Sequence, residues 1–355
     1  MFRSLISLVS IGLLVVMLAS FGCNGTKSGE SGSNGSTEAG GESGKGIEGP
    51  FKVAFITNQI ADFWNIAAAG CRDAEKDFGV TVDVRMPVDA TAVEQKRILE
   101  DLVASGIDAV AISPIDADNQ KDLINRVAAK IPLITHDSDA PGTDRLMYIG
   151  MDNYRAGRMV GELVKEALPD GGNVLIYIGR LEQDNSKHRR QGVIDELLDR
   201  PRDRERFDPQ EGVIEGKYRI VATITDTGKP EIAQRKAEDS INAYPDMNAM
   251  VGLFEYNPPA CYQALKKADM LGKIKLIGFD ENDITLQAIK DGTCTGTVVQ
   301  NPYEYGYKSV EVLLKLLKGD KSVIPEDKVI GIAPRKIVKK NVDEFWADLK
   351  AKKGG

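Results

Sequence analysis

Polar side chains follow several short apolar runs in this chain, at the point where each run ends. Asp137 comes directly after a run that ends at His136, and Asp280 comes directly after one that ends at Phe279. A carboxylate can accept more than one hydrogen bond, and bonds to an ionised acceptor are stronger than neutral ones. Comparable positions after other runs are held by Thr57, Ser113, Glu255, Asn257 and Gln300. Amide, hydroxyl and carboxylate groups of this kind suit the binding of a neutral polyhydroxyl molecule.

Two aromatic residues, Phe63 and Trp64, follow the first run by a few positions. A flat aromatic face can stack on the apolar face of a sugar ring, although residues at the start of a helix also pack into cores. The strand-end Thr, Ser and Asn residues are open to a second interpretation, because these types often cap the next helix. His136 could act as a catalytic base, but no partner for it is visible, and we interpret it as structural.

An enzyme is the main alternative class. Asp137 and Asp280 could in principle form the carboxylate pair of a glycosidase. The chain shows no nucleophile elbow, phosphate loop or cluster with metal-ligand spacing. We therefore expect a binding protein without enzymatic activity, cofactor or metal.

The elements that position these residues alternate between two kinds. Short apolar runs, continuous rather than alternating, predict strands buried on both faces of parallel sheets. Amphipathic helical stretches lie between them, which is typical of a parallel sheet with right-handed crossovers. The predicted strands are 52–57, 80–85, 109–113, 132–136 and 147–150, then 174–178, 218–224, 249–254, 275–279 and 297–300. Ten strands are many for one open sheet, so the pattern predicts two similar doubly wound α/β lobes, with ligands beyond the carboxyl ends of the strands.

The N-terminal residues have the composition of an export signal. Arg3 precedes an apolar run from Leu5 to Met17, followed by small residues and Cys23. The segment before Cys23 resembles a bacterial lipobox, although Ser20 stands where Leu is usual, so we expect a lipid anchor through Cys23. A transmembrane anchor is the alternative, and the run is short for it. Residues 24–50 are rich in Gly and Ser and predict a flexible tether spanning about 30 Å.

Composition narrows the partners and the redox chemistry. The 355 residues carry a net charge of −7, with 42% hydrophobic residues, as in soluble globular proteins. Nucleic-acid binding needs a basic face, so we do not expect this acidic chain to bind nucleic acid. If Cys23 is lipidated, Cys71, Cys261 and Cys294 remain; buried free thiols are the simpler interpretation, and a Cys261–Cys294 disulfide stays open.

The region from Phe51 to about Asn341 resembles the ribose-binding type of periplasmic sugar-binding proteins, which have the type I fold and serve ABC uptake systems. The motifs that carry the resemblance are Val53–Thr57 with Asp62–Trp64, Ala111–Pro114, Ile134–Asp137, Arg189–Gly192, Ile277–Asp280 and Gly296–Gln300. The resemblance implies that Phe63 and Trp64 stack on the sugar. It also implies that Asp137, Arg189, Asp280 and the hinge residue Gln300 bond its hydroxyls.

Several positions depart from the ribose-binding pattern. Ser138 replaces an Arg, Ser113 replaces an Asn, and the family's Asn after the first strand aligns near Ala61. Glu255 or Asn257 takes the place of an Asn-Asp pair. These changes point to a sugar other than ribose.

The resemblance also implies a domain plan and a partner. Together with the signal expected at 1–23 and the tether expected at 24–50 from their composition, it divides the chain as follows. The first lobe is predicted to comprise 51–152 and 301–328, the second 153–300 and 329–342, with a tail at 343–355 and a three-segment hinge. We expect a monomer that hands a monosaccharide to a membrane permease. An extracellular sensor that passes its occupancy to a receptor has the same fold and remains open, whereas a sugar-responsive repressor would need a DNA-binding segment where the signal and tether lie.

Overall fold

Two six-stranded sheets organise the part of the chain that the structure, a computed structural model, describes: residues 49–353. The strands are β1 Lys52–Ile56, β2 Thr81–Arg85, β3 Ala109–Ile112, β4 Leu133–His136, β5 Tyr148–Gly150, β6 Gly172–Ile178, β7 Tyr218–Thr225, β8 Ala249–Gly252, β9 Lys275–Phe279, β10 Gly296–Val299, β11 Val329–Gly331 and β12 Arg335–Ile337. The helices are α1 Asp62–Phe78, α2 Ala92–Ala104, α3 Lys121–Ala128, α4 Asn153–Ala167, α5 Asp184–Leu197, α6 Pro230–Ala243, α7 Asn257–Lys267, α8 Asp283–Asp291, α9 Pro302–Leu317 and α10 Val342–Lys353. All ten predicted strands are present.

The two sheets have matching strand orders. The first runs β11-β5-β4-β3-β1-β2 and the second β12-β10-β9-β8-β6-β7. Every pairing is parallel except that of β12 with β10. Strands such as β3 and β8 are buried at every residue, as continuous apolar runs predict. The prediction of two doubly wound α/β lobes is confirmed.

Local signals define several helix ends. The Thr91 side chain accepts a hydrogen bond from the backbone N–H of Glu94 at the start of α2, and Asp152 accepts one from Arg155 at the start of α4. Gly79 ends α1 in the left-handed conformation, with φ of 64°. Capping side chains and a C-terminal glycine therefore define the ends of helices that the sequence periodicity predicts.

The third crossing between the lobes differs from the prediction. We expected the chain to enter the second lobe near Val329, but β11 pairs in parallel with β5 of the first sheet. The crossing follows Gly331, and β12 then pairs with β10 of the second sheet. The boundary at 328/329 was wrong because a three-residue strand carries too little apolar pattern to show which sheet edge it joins.

The predicted tail at 343–355 is also corrected. Residues 342–353 form α10, and Phe345 and Leu349 are buried in the core of the second lobe. The helix covers apolar surface near α8 and β12, so the second lobe extends to Lys353 at least.

A close helix crossing fixes the backbone of α5 beside α4. A Cβ added to Gly157 would lie 2.0 Å from the Arg189 carbonyl oxygen, and one added to Gly192 would lie 2.1 Å from that of Tyr154. Glycine at both positions lets the two backbones come into contact. This contact determines the position of Arg189 on α5 relative to α4.

The segment between α5 and β7 is held by charged groups. Asp195 is fully buried and accepts hydrogen bonds from Tyr154 Oη at 2.9 Å, Gln191 Nε2 at 3.0 Å and Arg206 Nη2 at 2.9 Å. Arg200 pairs with the same carboxylate. The segment between α5 and β7 is therefore anchored to α4 and α5 through the buried carboxylate of Asp195.

The predicted signal, the lipidation site Cys23 and all but the last two residues of the tether lie outside the described residues. Within residues 49–353, Cys71, Cys261 and Cys294 are buried free thiols. None of the helices in that range is long and apolar enough to cross a membrane.

Candidate functional site

A cavity lies between the two lobes at the carboxyl ends of their strands. It encloses about 310 Å³ of space when its open mouth is included. The residues that line it are Asn58, Gln59, Ala61, Phe63, Trp64, Asp137, Asn185, Arg189, Phe254, Glu255, Asp280 and Gln300. Seven of the predicted site residues are in this set: Phe63, Trp64, Asp137, Arg189, Glu255, Asp280 and Gln300.

Asp137 is held by three donors on one oxygen. Its Oδ2 accepts hydrogen bonds from Ser113 Oγ at 2.9 Å, Asn185 Nδ2 at 3.1 Å and Asn58 Nδ2 at 3.3 Å. Asn185 belongs to the second lobe and the other three residues to the first, so this network joins the lobes. Burial raises the pKa of Asp137, while the charge of Arg189 and the three hydrogen bonds act in the opposite direction.

Asp280 holds the equivalent position in the second lobe. Its Oδ1 accepts a 2.6 Å hydrogen bond from Gln300 Nε2, and Gln300 Oε1 in turn accepts one from Tyr305 Oη at 3.1 Å. Burial raises the pKa of Asp280 well above its ordinary value, against the favourable charge of Arg189. Gln300 thus orients the carboxylate from the crossing segment between the lobes.

Both strand-end aspartates adopt the left-handed backbone conformation. The φ angle is 58° at Asp137, after β4, and 65° at Asp280, after β9. Non-glycine residues in this region are uncommon, Asp and Asn being the more frequent exceptions, and they often mark functional sites. The same turn in both lobes points both carboxylates into the cavity.

Arg189 is a buried cation whose charge acts on both Asp137 and Asp280. It is 1% exposed and donates from Nη1 to the Leu253 carbonyl at 2.7 Å and from Nη2 to Asn153 Oδ1 at 2.9 Å. Its guanidinium carbon lies 3.9 Å from the centre of the Phe279 ring. Because these contacts fix the group, it presents a preorganised positive charge.

The aromatic wall is built by α1. The rings of Phe63 and Trp64 meet edge to face with centroids 4.8 Å apart, and Trp64 Nε1 donates to Asn58 Oδ1 at 3.2 Å. Behind them, His136 stacks on Phe55 and its Nε2 lies 3.2 Å from the Ile56 carbonyl. Burial lowers the pKa of His136 to about 3, so the ring is neutral and packs as part of the core.

Three predicted residues do not line the cavity. Thr57 donates to the Gln59 carbonyl at 2.8 Å, and Ser113 supports Asp137 from behind. Asn257 accepts from the backbone N–H of Phe254 at 3.0 Å and donates to Asp226 Oδ2 at 2.7 Å. The side chains of all three residues form hydrogen bonds to other protein groups. They do not face the cavity, where we expected them to contact a ligand.

The cavity also contains residues that we did not select from the sequence. Asn58 and Gln59 directly follow Thr57, and Asn58, rather than Ala61, supplies the amide after the first strand. Asn185 lies in the first turn of α5 and reaches across to Asp137. The polar run at 57–59 was a visible signal, but the bridging role of Asn185 had none.

Glu255, in the loop between β8 and α7, lines the cavity from the second lobe. It is 6% exposed, and its Oε1 accepts a hydrogen bond from Asn282 Nδ2. Burial raises the pKa of Glu255 to about 7, and the negative charges of Asp62 and Glu281 act in the same direction. A second cavity of about 780 Å³ adjoins this wall and is also lined by Glu255 and Ala61, together with Asp62.

Two doubly wound lobes with a polar, aromatic-walled cavity between them and three connecting segments define a hinged solute-binding protein of the type I class. A family model described as a periplasmic binding protein domain matches residues 52–321. The chain therefore belongs to the periplasmic binding protein family, as the sequence resemblance implied.

Individual relatives are distant in sequence and close in fold. The ribose import binding protein of Salmonella typhimurium is 27% identical over 63% of this chain and 70% of its own length. An ABC transporter solute-binding protein from Burkholderia graminis, solved with D-arabinose, superposes with a TM-score of 0.74 at 26% identity, covering 83% of this chain and 98% of its own. GanP, a glucose-galactose binding protein from Geobacillus stearothermophilus, gives 0.73 at 27% identity, covering 83% and 99%.

Proposed function

We propose that this protein binds a small sugar in the cavity between its lobes and delivers it to the permease of an ABC transporter. The observation that carries the proposal is the pair of strand-end carboxylates, Asp137 and Asp280, which face one aromatic-walled cavity together with buried Arg189. Carboxylates accept hydroxyl hydrogen bonds, the guanidinium donates them, and Trp64 offers a ring face. The sugar-binding names of the relatives support the same ligand class.

The binding step is closure of the two lobes around the ligand. Contacts across the cleft are already present: Asn185 Nδ2 reaches Asp137 Oδ2, and Lys187 Nζ lies 3.2 Å from Asp118 Oδ2. A sugar that completes hydrogen bonds to both lobes stabilises the closed form, and the closed form is the one expected to dock on the permease. A ligand that leaves a buried polar group of the cavity without a hydrogen bond loses about 1–3 kcal/mol of binding free energy. This cost lets the protein discriminate between sugars.

The hydrogen bonds of Asp137 support a binding role rather than an enzymatic one. Its Oδ2 is committed to three donors, which favours a carboxylate that accepts bonds over one that transfers a proton. We propose that the bound sugar leaves unchanged. Recovery of a converted product after incubation with the protein would overturn this part of the proposal.

The test is a thermal-shift and calorimetric screen of the purified chain against pentoses, hexoses, inositols, pentitols and amino acids. A ligand that binds the native state raises the melting temperature. Asp280→Asn should weaken the binding of the best sugar by about 10- to 100-fold, because it replaces an oxygen that can accept a hydrogen bond from a sugar hydroxyl with an amide nitrogen that cannot. Asp269→Asn is the matched control, since that side chain is fully exposed. A shift with an amino acid and with no sugar would refute the sugar assignment.

We further propose that the chain is exported, anchored by lipid on Cys23, and monomeric. The family to which it belongs acts outside the cytoplasm, and the lipobox-like residues before Cys23 support the anchor. Cys23→Ser should move the protein from the membrane fraction to the soluble fraction and abolish labelling by a fatty-acid precursor. Unchanged membrane association would contradict the anchor.

A further inference from the structure

Two buried side chains beside the cavity between the lobes each have a polar atom without a partner. Gln59, in the loop after β1, is 5% exposed, and its Oε1 receives no hydrogen bond from residues 49–353. Arg180, in the loop after β6, is 7% exposed, and its Nη1 donates to no acceptor in that range. Buried polar groups are nearly always hydrogen-bonded, so both atoms call for a partner that the described residues do not supply.

The two side chains come from opposite lobes and meet beside Gly228, in the loop after β7. A Cβ added to Gly228 would lie 2.0 Å from Arg180 Nη2 and 2.7 Å from Gln59 Oε1. The guanidinium and the amide oxygen therefore approach one point, in space that a side chain at position 228 would fill. Because Gln59 lines the cavity, Arg180 meets the cavity wall at this point.

The second lobe fixes the orientation of the Arg180 guanidinium. Its Nη2 donates a hydrogen bond to the carbonyl oxygen of Thr227. Thr227 and Gly228 both adopt the left-handed backbone conformation, with φ of 60° and 78°. Since Nη2 is held by the turn, Nη1 is a preorganised donor that remains available to another molecule.

The charge of Arg180 does not require an anionic ligand. The carboxylate of Asp226 is buried nearby, and the charges of these two groups stabilise each other. Asp226 is itself held by Tyr256 Oη at 2.7 Å, Asn257 Nδ2 at 2.7 Å and the backbone N–H of Gly228 at 2.9 Å. The guanidinium therefore has its counter-charge within the second lobe, and what it lacks is a hydrogen-bond acceptor for Nη1.

The missing partner must accept from Arg180 Nη1 and donate to Gln59 Oε1. A hydroxyl group does both, whereas an ionised carboxylate only accepts and an ammonium only donates. We infer that Arg180 and Gln59 form a subsite for one hydroxyl of the bound sugar, separate from the carboxylates of Asp137 and Asp280, and that this subsite selects against sugars that lack a hydroxyl there. This inference rests on the proposed sugar-binding function and names two residues that determine its specificity.

The test removes the hydroxyls of the ligand one at a time and measures affinity by titration calorimetry. The probe is the tightest binder among D-arabinose, D-allose, D-glucose, D-galactose and the other sugars of the thermal-shift screen, together with analogues that each lack one of its hydroxyls. The set is measured with wild type, Arg180→Met and Gln59→Leu. Since these two side chains belong to different lobes, each variant tests the subsite independently of the other.

In wild type, loss of the hydroxyl that occupies the subsite should weaken binding about tenfold or more. In Arg180→Met and in Gln59→Leu, removal of that same hydroxyl should change affinity by less than about threefold, because its partner is already gone. The effects of removing the other hydroxyls should stay as in wild type. Arg204→Met makes the same change at an exposed position and should keep the wild-type pattern throughout. Thermal melts establish that each variant is folded.

Three results would overturn the inference while leaving sugar binding intact. The variants could weaken the parent and every analogue by the same factor, which would show that the two side chains hold a water molecule or join the lobes without touching the sugar. They could leave all affinities unchanged, or they could single out two different hydroxyls. Failure of every sugar to bind wild type would overturn the proposed function together with the inference.

Discussion

Glu281 is a buried acid whose neutralisation should stabilise the free protein in a pH-dependent way. It is 1% exposed and accepts the backbone N–H groups of Gln300 at 3.2 Å and Asn301 at 3.1 Å through Oε1, while its Oε2 is buried without a donor in the described residues. Burial raises its pKa from 4.5 to about 7. Gln in its place keeps the oxygen that accepts both N–H groups and carries no charge.

The sign and size of the effect follow from the pKa of Glu281 in the two states. Because the folded-state pKa is raised, the folded protein holds this proton more tightly, and stability falls as pH rises from about 4.5 to about 7. The difference between a pKa of 4.5 in the unfolded chain and about 7 in the folded protein corresponds to about 3 kcal/mol once the group is ionised in both states. Glu281→Gln escapes this loss, so it should gain about 3 kcal/mol at pH 8 and about 1 kcal/mol or less at pH 5.

The assay is chemical denaturation of wild type and Glu281→Gln at pH 5 and pH 8. The midpoint and slope give the free energy of unfolding at each pH. Glu326→Gln, at an exposed site, should change neither value. An equal gain at both pH values would show that packing rather than charge is responsible, and a loss at pH 8 would refute the reasoning.

Three further predictions concern the site and its support. Asp195→Ala should destabilise the protein by about 1–3 kcal/mol, measured by denaturant unfolding, because the buried Tyr154 hydroxyl loses the carboxylate that accepts its hydrogen bond; an unchanged free energy of unfolding would contradict this. Trp64→Phe keeps an aromatic ring but loses the bond to Asn58 Oδ1, so calorimetry should find sugar affinity reduced several-fold, and unchanged affinity would argue against that bond as an organiser of the cavity. Gly157→Ala should lower the melting temperature and weaken sugar binding together, since its Cβ would push the α5 backbone at Arg189; a stable variant with normal affinity would show that the crossing can relax.

The residues that end buried strands were predictable because the signal for them is local. A continuous apolar run predicts a strand, and the carboxyl ends of parallel strands meet at one edge of their sheet. Asp137 and Asp280 were therefore each expected at the edge of a sheet where ligands bind. Phe63 and Trp64 follow from the same argument, as residues that come just after the first strand. Their ligand roles stay predictions, but their placement in one cavity agrees with the pattern.

The direction of each loop side chain was not predictable, since it depends on contacts formed by distant segments. Ser113 directly follows β3 and Asn257 begins α7 shortly after β8, yet Ser113 bonds Asp137 and Asn257 bonds Asp226. What distinguishes the aspartates is a left-handed turn that the tertiary structure stabilises at both positions. Composition and strand spacing do not encode that turn.

The sequence by itself determined the two-lobe architecture, because strand and helix periodicity is written into consecutive residues. Only the tertiary structure decided that β11 joins the first sheet, that α10 packs in the second lobe, and that Asn185 on one lobe bonds Asp137 on the other. Each of these depends on which surfaces remain to be covered once the sheets have formed. That is a property of the folded whole, and no window of neighbouring residues contains it.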